Sequence, residues 1–417
     1  MRRILTICSV LAVVAWTAVS VAWTADGQER PIVVGAVYPT GGPQGVVGAG
    51  IDEYQGVLLA AAYVNQHGGI RGRPVQVRLA SANSVDAAAG AVEQLAESGV
   101  TTIVGTYGSV IARPAAETAA RLGLVYWETG AVGQIGDAAG PGTHFFRMAP
   151  SGAMLGRQAV DFVQDQIAPR LHHVEPLRYT VAYVDDGFGR AEAQGEIAEV
   201  HRLHLPLAAT LPYNPWHADY AALAAKIAAA HTDVLVVAAY MENAVALRQA
   251  VLRARVPLAV NIGGCSAYIM PEFGKRLGAA AVGVFSSDKT GDLLPTRTLT
   301  GRAAQQLSWA RHAFRERYGH PLWEPGLSGF SGAIALFQDV LPYARDLAPA
   351  RVATAAREAR LPVGALPNGS GLAFGAPGSP QAGENLRAAS VVWEWVAPYT
   401  RALVWPPALA THEIVVP

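Results

Sequence analysis

Residues 32–42, with the sequence IVVGAVYPTGG, decide the fold of this chain of 417 residues. The apolar run at 32–38 predicts a short buried strand, and the proline and glycines after it predict a turn. A helical pattern follows, from about Gly50 to Gln66. A buried strand, a turn and a helix in this order indicate the first βαβ unit of a parallel sheet with right-handed crossovers.

The same alternation repeats through most of the chain. Helical segments separate the strand-like runs, which lie near 74–80, 101–105, 124–127, 179–184, 207–211, 233–239, 258–262 and 282–286. Because the pattern restarts after Pro150, we predict an α/β protein with two doubly wound parallel-sheet lobes. The last third contains long helical patterns and then two strand-like runs, at 390–396 and 402–405.

The composition is that of a globular protein. Apolar residues make up 51% of the chain, too many for disorder, and the formal net charge is zero. No basic run is longer than Arg2–Arg3, so the chain lacks the basic stripe that binds phosphate backbones, and we expect no nucleic acid partner. Cys8 lies in the N-terminal apolar segment, which leaves Cys265 without an intramolecular disulfide partner once that segment is removed.

Residues 1–22 have the pattern of a signal peptide that directs export to the periplasm. Arg2 and Arg3 precede an uncharged segment from Ile4 to Ala22, which ends in the small-x-small pattern of a cleavage site. An uncleaved membrane anchor is the alternative, because 19 uncharged residues nearly suffice to cross a bilayer.

Loops at the predicted strand ends hold the candidate ligand contacts, because ligands of open α/β sheets bind beyond the carboxyl ends of the strands. The first loop, 38–45, contains Gln44 and precedes a helix whose N-terminus favours an anion. A plain tight turn is the alternative. The loop has neither a GxGxxG nor a GxxxxGK[ST] pattern, which argues against a nucleotide.

A second loop contains Tyr107 and Ser109 and follows the strand at 101–105. Ser109 stands at a helix start, where its hydroxyl either caps the helix or binds a ligand carboxylate. No GxSxG pattern occurs, so a catalytic serine is disfavoured.

A third loop begins with Trp127, Glu128, Thr129 and Gly130. Trp127 offers a stacking face and Glu128 a hydrogen-bond acceptor. The alternative is a tryptophan packed on the lobe and a solvated glutamate, and the sequence does not decide between the two.

In the second lobe, Asp185–Asp186 precedes Phe188, and Tyr240 precedes Glu242. A calcium loop would need carboxylates at alternating positions, so the aspartate pair predicts a helix cap. We expect Tyr240 to face the crevice between the lobes, whereas Glu242 fits a partner of the helix dipole. The eleven histidines form no metal-site pattern. The sequence therefore predicts no metal, no cofactor and no catalytic set.

Taken in order along the chain, these segments resemble the type I periplasmic binding proteins of ABC importers, in the branched-chain amino acid and amide family. The resemblance covers roughly residues 31–405. Its motifs are VGAVYPTGGPQGVVG (34–48), VNQHGGIRGRPVQV (64–77), IVGTYGSVIARPAAETAARLGLVYWETGA (103–131), HFFRMAPSG (144–152), VAYVDDGFGRAEAQG (181–195) and GLAFGAPGSPQAGEN (371–385).

The resemblance implies a monomeric receptor that is not an enzyme. Two lobes joined by three chain segments would close on a small ligand and deliver it to the importer's permease subunits. The first lobe would comprise 31–147 and 287–365, and the second 148–286 and 366–417. A sensory ligand-binding module of the same fold is the alternative.

The ligand contacts of the family carry over only in part. The resemblance places four of them at Ser109, Gly130, Phe188 and Tyr240. Val132 replaces a threonine that helps to hold an amino group, and Cys265 lies near the position of the acidic residue that pairs with the ligand ammonium.

An unpartnered buried ammonium costs several kcal/mol. We therefore expect a carboxylate or amide ligand with an apolar or aromatic body, in contact with Ser109, Tyr107, Trp127 and Phe188. The alternative is an amino acid, branched-chain or other, whose ammonium meets Glu128 or Glu242.

Overall fold

A computed structural model of the protein describes residues 30–41, 46–136, 144–171 and 175–415. The predicted signal peptide and Gln44 lie outside the described residues. Within the described part of the chain, no helix has the length and apolar character needed to cross a membrane.

The first lobe is built on a five-stranded parallel sheet in the order β2-β1-β3-β4-β5. Its strands are β1 (Ile32–Tyr38), β2 (Val75–Ser81), β3 (Thr102–Gly105), β4 (Val125–Glu128) and β5 (Phe145–Arg147). The helices between them are α1 (Val47–Gln66), α2 (Val85–Glu97) and α3 (Ser109–Arg121).

The second lobe contains a seven-stranded sheet in the order β12-β11-β10-β9-β8-β6-β7, parallel except at β11 and β12. Its strands are β6 (Tyr179–Val184), β7 (Leu207–Tyr213), β8 (Val234–Ala238), β9 (Val260–Gly264), β10 (Val284–Asp288), β11 (Val391–Ala397) and β12 (Thr400–Trp405). Its helices are α4 (Gly152–Phe162), α5 (Gly187–Arg202), α6 (Tyr220–Ala229), α7 (Met241–Arg253) and α8 (Pro271–Leu277). The predicted fold class, two doubly wound lobes, is confirmed.

After β10 the chain returns to the first lobe. It forms α9 (Gly301–Tyr318), α10 (Glu324–Asp339) and α11 (Pro349–Glu358) there. Leu366, Leu372 and Phe374 enter the same hydrophobic core, which also contains Trp127.

The expected boundary between residues 365 and 366 needs a correction for this reason. The Asn385 N–H donates to Arg147 O (3.0 Å), so the Gly/Pro-rich segment stays on the first lobe up to that point. The third chain segment that joins the two lobes therefore lies between Asn385 and the start of β11 at Val391.

Helices α1 and α10 cross in the first lobe with their backbones in direct contact. A Cβ added at Gly56 would overlap the carbonyl oxygen of Gly326, and one at Gly329 would overlap the carbonyl oxygen of Glu53. Both glycines are therefore required by space, since the surrounding core is closely packed.

We predict that Gly56→Ala lowers the free energy of unfolding by about 1–3 kcal/mol, because the extra methyl forces the two helices apart. Gly90→Ala is the matched control, since a Cβ at exposed Gly90 in α2 meets nothing within 4 Å. That control should gain roughly 0.5–1 kcal/mol from helix propensity. Thermal unfolding of both variants checks the prediction, and equal midpoints would contradict it.

The second lobe buries carboxyl groups on α5 and at the end of β10. Glu196 is 1% exposed, and burial raises its pKa to about 8. Burial, and then the nearby charge of Glu324, raise the pKa of Asp288 to about 8 as well. The folded protein therefore keeps protons on these groups at a pH where the unfolded chain has released them.

The stabilisation by the Glu196 proton should be complete below about pH 4.5 and disappear as the pH rises towards 8. We predict that Glu196→Gln flattens this decline, which melting temperatures measured between pH 4.5 and 8.5 would show. Exposed Glu97→Gln should leave the pH profile of the wild type unchanged. Parallel profiles for Glu196→Gln and the wild type would refute the assignment.

Candidate functional site

A cavity of about 220 Å³ lies between the lobes, at the carboxyl ends of both parallel sheets. The first lobe lines it with Gly48, Ala49, Tyr107, Gly108, Ser109, Gly130, Ala131 and Val132. The second lobe lines it with Phe188, Ala239, Tyr240, Met241, Glu242, Cys265, Ser266, Ala267, Met270 and Glu272. The volume is below the roughly 300–1,000 Å³ of drug-sized sites, so the cavity suits a small ligand.

The lobes touch beside this cavity. A Cβ on Gly133 would lie 2.7 Å from the carbonyl oxygen of Gly187, so only glycine permits this approach. Next to it, the Gln134 amide donates to the Gln194 Oε1 atom of the second lobe at 2.5 Å. These contacts hold the two walls of the cavity together.

The first-lobe wall is the N-terminus of α3. Gly108, with φ of 93°, is the N-cap residue, and the Ile111 N–H donates to Gly108 O. Ser109 therefore does not cap the helix, contrary to one of its two predicted roles. Its Oγ accepts from the Gly133 N–H at 2.9 Å and keeps its own proton for donation. Because the first N–H groups of a helix have no intrahelical partner, this wall offers donors to an anion or a carbonyl oxygen.

The second-lobe wall is aromatic. Asp186 caps α5 by accepting from the Phe188 and Gly189 N–H groups, and its other oxygen accepts from the Tyr240 hydroxyl at 2.6 Å. The Phe188 and Tyr240 rings lie 5.3 Å apart. The predicted helix cap thus holds both the Phe188 backbone and the Tyr240 hydroxyl. No group of three His, Cys, Asp or Glu residues among those described could hold a metal ion.

Cys265 follows β9 and lines the cavity. By the family resemblance, it lies near the position of the acidic residue that pairs with a ligand ammonium. Its φ is 63°, a value that non-glycine residues rarely adopt, and such strain concentrates at functional sites. Burial raises the pKa of its thiol, so the side chain is neutral.

A buried ion pair lies beneath the cavity floor. The Lys289 Nζ atom lies 2.9 Å from the Glu324 Oε1 atom, with side-chain exposures of 4% and 1%. Lys289 also donates to Gly130 O (3.1 Å) and lies 5.9 Å from the centre of the Tyr107 ring. Burial is the largest single effect and lowers the pKa of Lys289, but the charges around it, Glu324 first, together raise that pKa well above its usual value. Ser266 of the second lobe donates to Glu324 Oε2 at 2.5 Å.

This pair was not predicted from the sequence. A signal was available, because Lys289 is one of only three lysines in the chain and directly follows a predicted strand end. Its partner Glu324 is distant in sequence and begins α10.

Three predicted contact residues lie away from the cavity lining. Trp127 is fully buried in the first-lobe core and its Nε1 donates to Gly332 O at 2.8 Å. Thr129 donates to Glu53 at 2.5 Å. Glu128 accepts from the backbone N–H groups of Thr106, Gly130 and Ala131. Burial raises the Glu128 pKa to about 7 against the effect of these donors.

The carboxylates of the cavity lining stand at its rim. Glu242 has a side chain 63% exposed and pairs with Arg276 at 2.7 Å. Glu272 is also exposed. Within the described lining, no buried carboxylate is present to meet a ligand ammonium.

Comparison with known proteins agrees with this architecture. The family model described as periplasmic binding protein matches residues 31–383. Leu/Ile/Val-binding protein homolog 8 of Brucella abortus (strain 2308) is 28% identical over 369 residues, which cover 87% of each chain.

Two solved structures share the fold. One is a leucine binding protein from Thermotoga maritima MSB8, with a TM-score of 0.73, 14% identity, and coverage of 89% of this chain and 97% of that one. The other is an ABC transporter substrate-binding protein from Desulfitobacterium hafniense in complex with Leu, with a TM-score of 0.70, 18% identity, and coverage of 90% and 100%. The chain belongs to the periplasmic binding protein family, whose members are solute-binding receptors and not enzymes.

Proposed function

We propose that this protein is the extracytoplasmic receptor of an ABC importer and that it closes on one small polar ligand in the cavity between its lobes. The observation that carries the proposal is the cavity itself, which both lobes line at the carboxyl ends of their sheets. Residues 1–22 would direct export to the periplasm, and the importer's permease subunits would receive the ligand from a monomeric receptor.

The ligand we propose is a carboxylate or amide with an apolar or aromatic body. The Ser109 hydroxyl and the N-terminus of α3 supply donors for a carboxylate or carbonyl oxygen. Phe188, Met241 and Met270 supply apolar surface on the opposite wall. Apolar walls with a few placed donors are the usual composition of a small-molecule site.

A standard α-amino acid fits this cavity less well. Its ammonium needs an acceptor, and the neutral Cys265 thiol is a weak one. The two predicted alternatives are unsuitable, because Glu128 is occupied by backbone N–H groups and Glu242 is paired with Arg276 at the rim. Branched-chain amino acids remain the second candidate, because the Desulfitobacterium structure of the same fold contains Leu.

A thermal-shift screen tests the ligand class. The panel contains branched-chain and aromatic amino acids, short amides, urea, and aliphatic and aromatic carboxylates. We expect carboxylates or amides to raise the melting temperature, since a ligand at 100 times its Kd adds about 2.7 kcal/mol of stability. Ser109→Ala should weaken that ligand by about 10- to 100-fold, through loss of one hydrogen bond to a charged group.

Two further variants distinguish the candidates. If the ligand lacks an ammonium, Glu242→Gln should leave its affinity unchanged. Stabilisation by leucine or a related amino acid, lost in Glu242→Gln or Glu128→Gln, would contradict the proposed ligand class. No stabilisation by any compound of the panel would count against the receptor function itself.

A further inference from the structure

The two lobes also form a second concavity, here called the mouth groove, which shares Tyr240 and Glu242 with the ligand cavity. Its volume is about 840 Å³. The first lobe contributes residues 83–86 at the start of α2, and the second contributes residues 212–216 after β7. Since both lobes line the groove, its shape depends on how the two lobes are arranged relative to each other.

Two exposed apolar side chains line the mouth groove, one from each lobe. Val85 of the first lobe is 48% exposed, and Trp216 of the second is 68% exposed. Isolated exposed apolar residues are ordinary, but these two line one groove from different lobes. A tryptophan in such a position is the residue type most enriched in binding hot spots.

The backbone around both side chains is fixed. The Trp216 N–H donates to Asn214 Oδ1 at 2.8 Å, and the Asn243 amide donates to Pro215 O at 2.8 Å. In the first lobe, Ser84 caps α2 by accepting from the Ala87 N–H. The apolar groups are therefore presented in a set geometry, which lowers the entropy lost when a partner binds.

The charged residues that line the groove within the described part of the chain are all acidic: Asp86, Asp185, Asp186 and Glu242. Arg190 and Arg276, from outside the lining, pair with Asp185 and Glu242. The surface remains acidic overall, so it favours a partner with basic residues.

We propose that the mouth groove is the docking site for a basic segment of the importer's permease, which inserts an apolar side chain between Val85 and Trp216. The proposal rests on the proposed function. An importer must distinguish a loaded receptor from an empty one, and a surface built from both lobes reports their closure. The high exposure of Trp216 fits a protein partner better than a small molecule, because small-molecule sites bury most of the ligand.

The test places the photo-crosslinking residue p-benzoylphenylalanine at Trp216 of the full-length protein in its own cells. The cells receive the panel compound that raises the melting temperature most. We expect a crosslink to a permease subunit, at a peptide with basic residues, that increases with the compound. The same residue at Tyr343, 74% exposed and outside the groove lining, should give no such crosslink.

Trp216→Ser and Val85→Ser supply the second measurement. Each should lower uptake of the labelled compound by about tenfold or more, while the affinity of the purified protein stays within about twofold. Leu252→Ser, at another exposed apolar residue of the second lobe, should leave both unchanged.

Other results would overturn the proposal. A crosslink only to a second copy of this chain would assign the groove to self-association, and weaker ligand affinity in Trp216→Ser would make it part of the ligand site. If the wild type binds the compound but neither crosslinks to a permease subunit nor loses uptake in the variants, only the docking proposal fails. If no panel compound binds, the proposed function fails first.

Discussion

The buried ion pair between Lys289 and Glu324 lies beneath the ligand cavity and contacts a cavity-lining loop of each lobe. Lys289 follows the last strand of the parallel set in the second lobe, and Glu324 begins α10 on the first. Through Gly130 O and the Ser266 hydroxyl, the pair connects a cavity-lining loop of each lobe. A buried charge that loses its partner costs several kcal/mol, so the pair holds the Gly130 loop and the start of α10 to the strand end that carries Lys289.

The remaining geometry follows from parallel sheets placed end to end. Parallel strands bring all their carboxyl ends to one edge, and the helix N-termini after them point to the same edge. The first lobe therefore presents the N-terminus of α3 with Ser109, and the second presents Phe188 and Tyr240, both positioned by Asp186. The cavity therefore has helix N-terminal donors on one wall and two aromatic rings on the other.

Much of this could be predicted from the sequence. The strand pattern gave the fold class because buried parallel strands are short apolar runs separated by helices. The short strand β5 was not predicted, since three residues carry too little pattern. The third connection between the lobes was predicted too early in the chain. The local sequence pattern does not show that Leu372 and Phe374 enter the first-lobe core.

The site was predicted less completely than the fold. Helices cover both faces of the first sheet, so alternation along β4 does not reveal which side chain reaches the cleft. Trp127 packs in one core and its neighbour Tyr126 in another, and Glu128 turns back to bind the backbone. Lys289 and Glu324 meet only through the tertiary fold, which no local spacing encodes.

The most direct test of the account is whether the lobes close when the cavity is filled. Small-angle X-ray scattering of the purified protein, titrated with the panel compound that stabilises it most, measures this change. If the lobes close on the ligand, the radius of gyration falls and reaches a plateau over the same ligand concentrations that produce the thermal shift. Saturating binding with an unchanged scattering profile would contradict closure of the two lobes on a ligand.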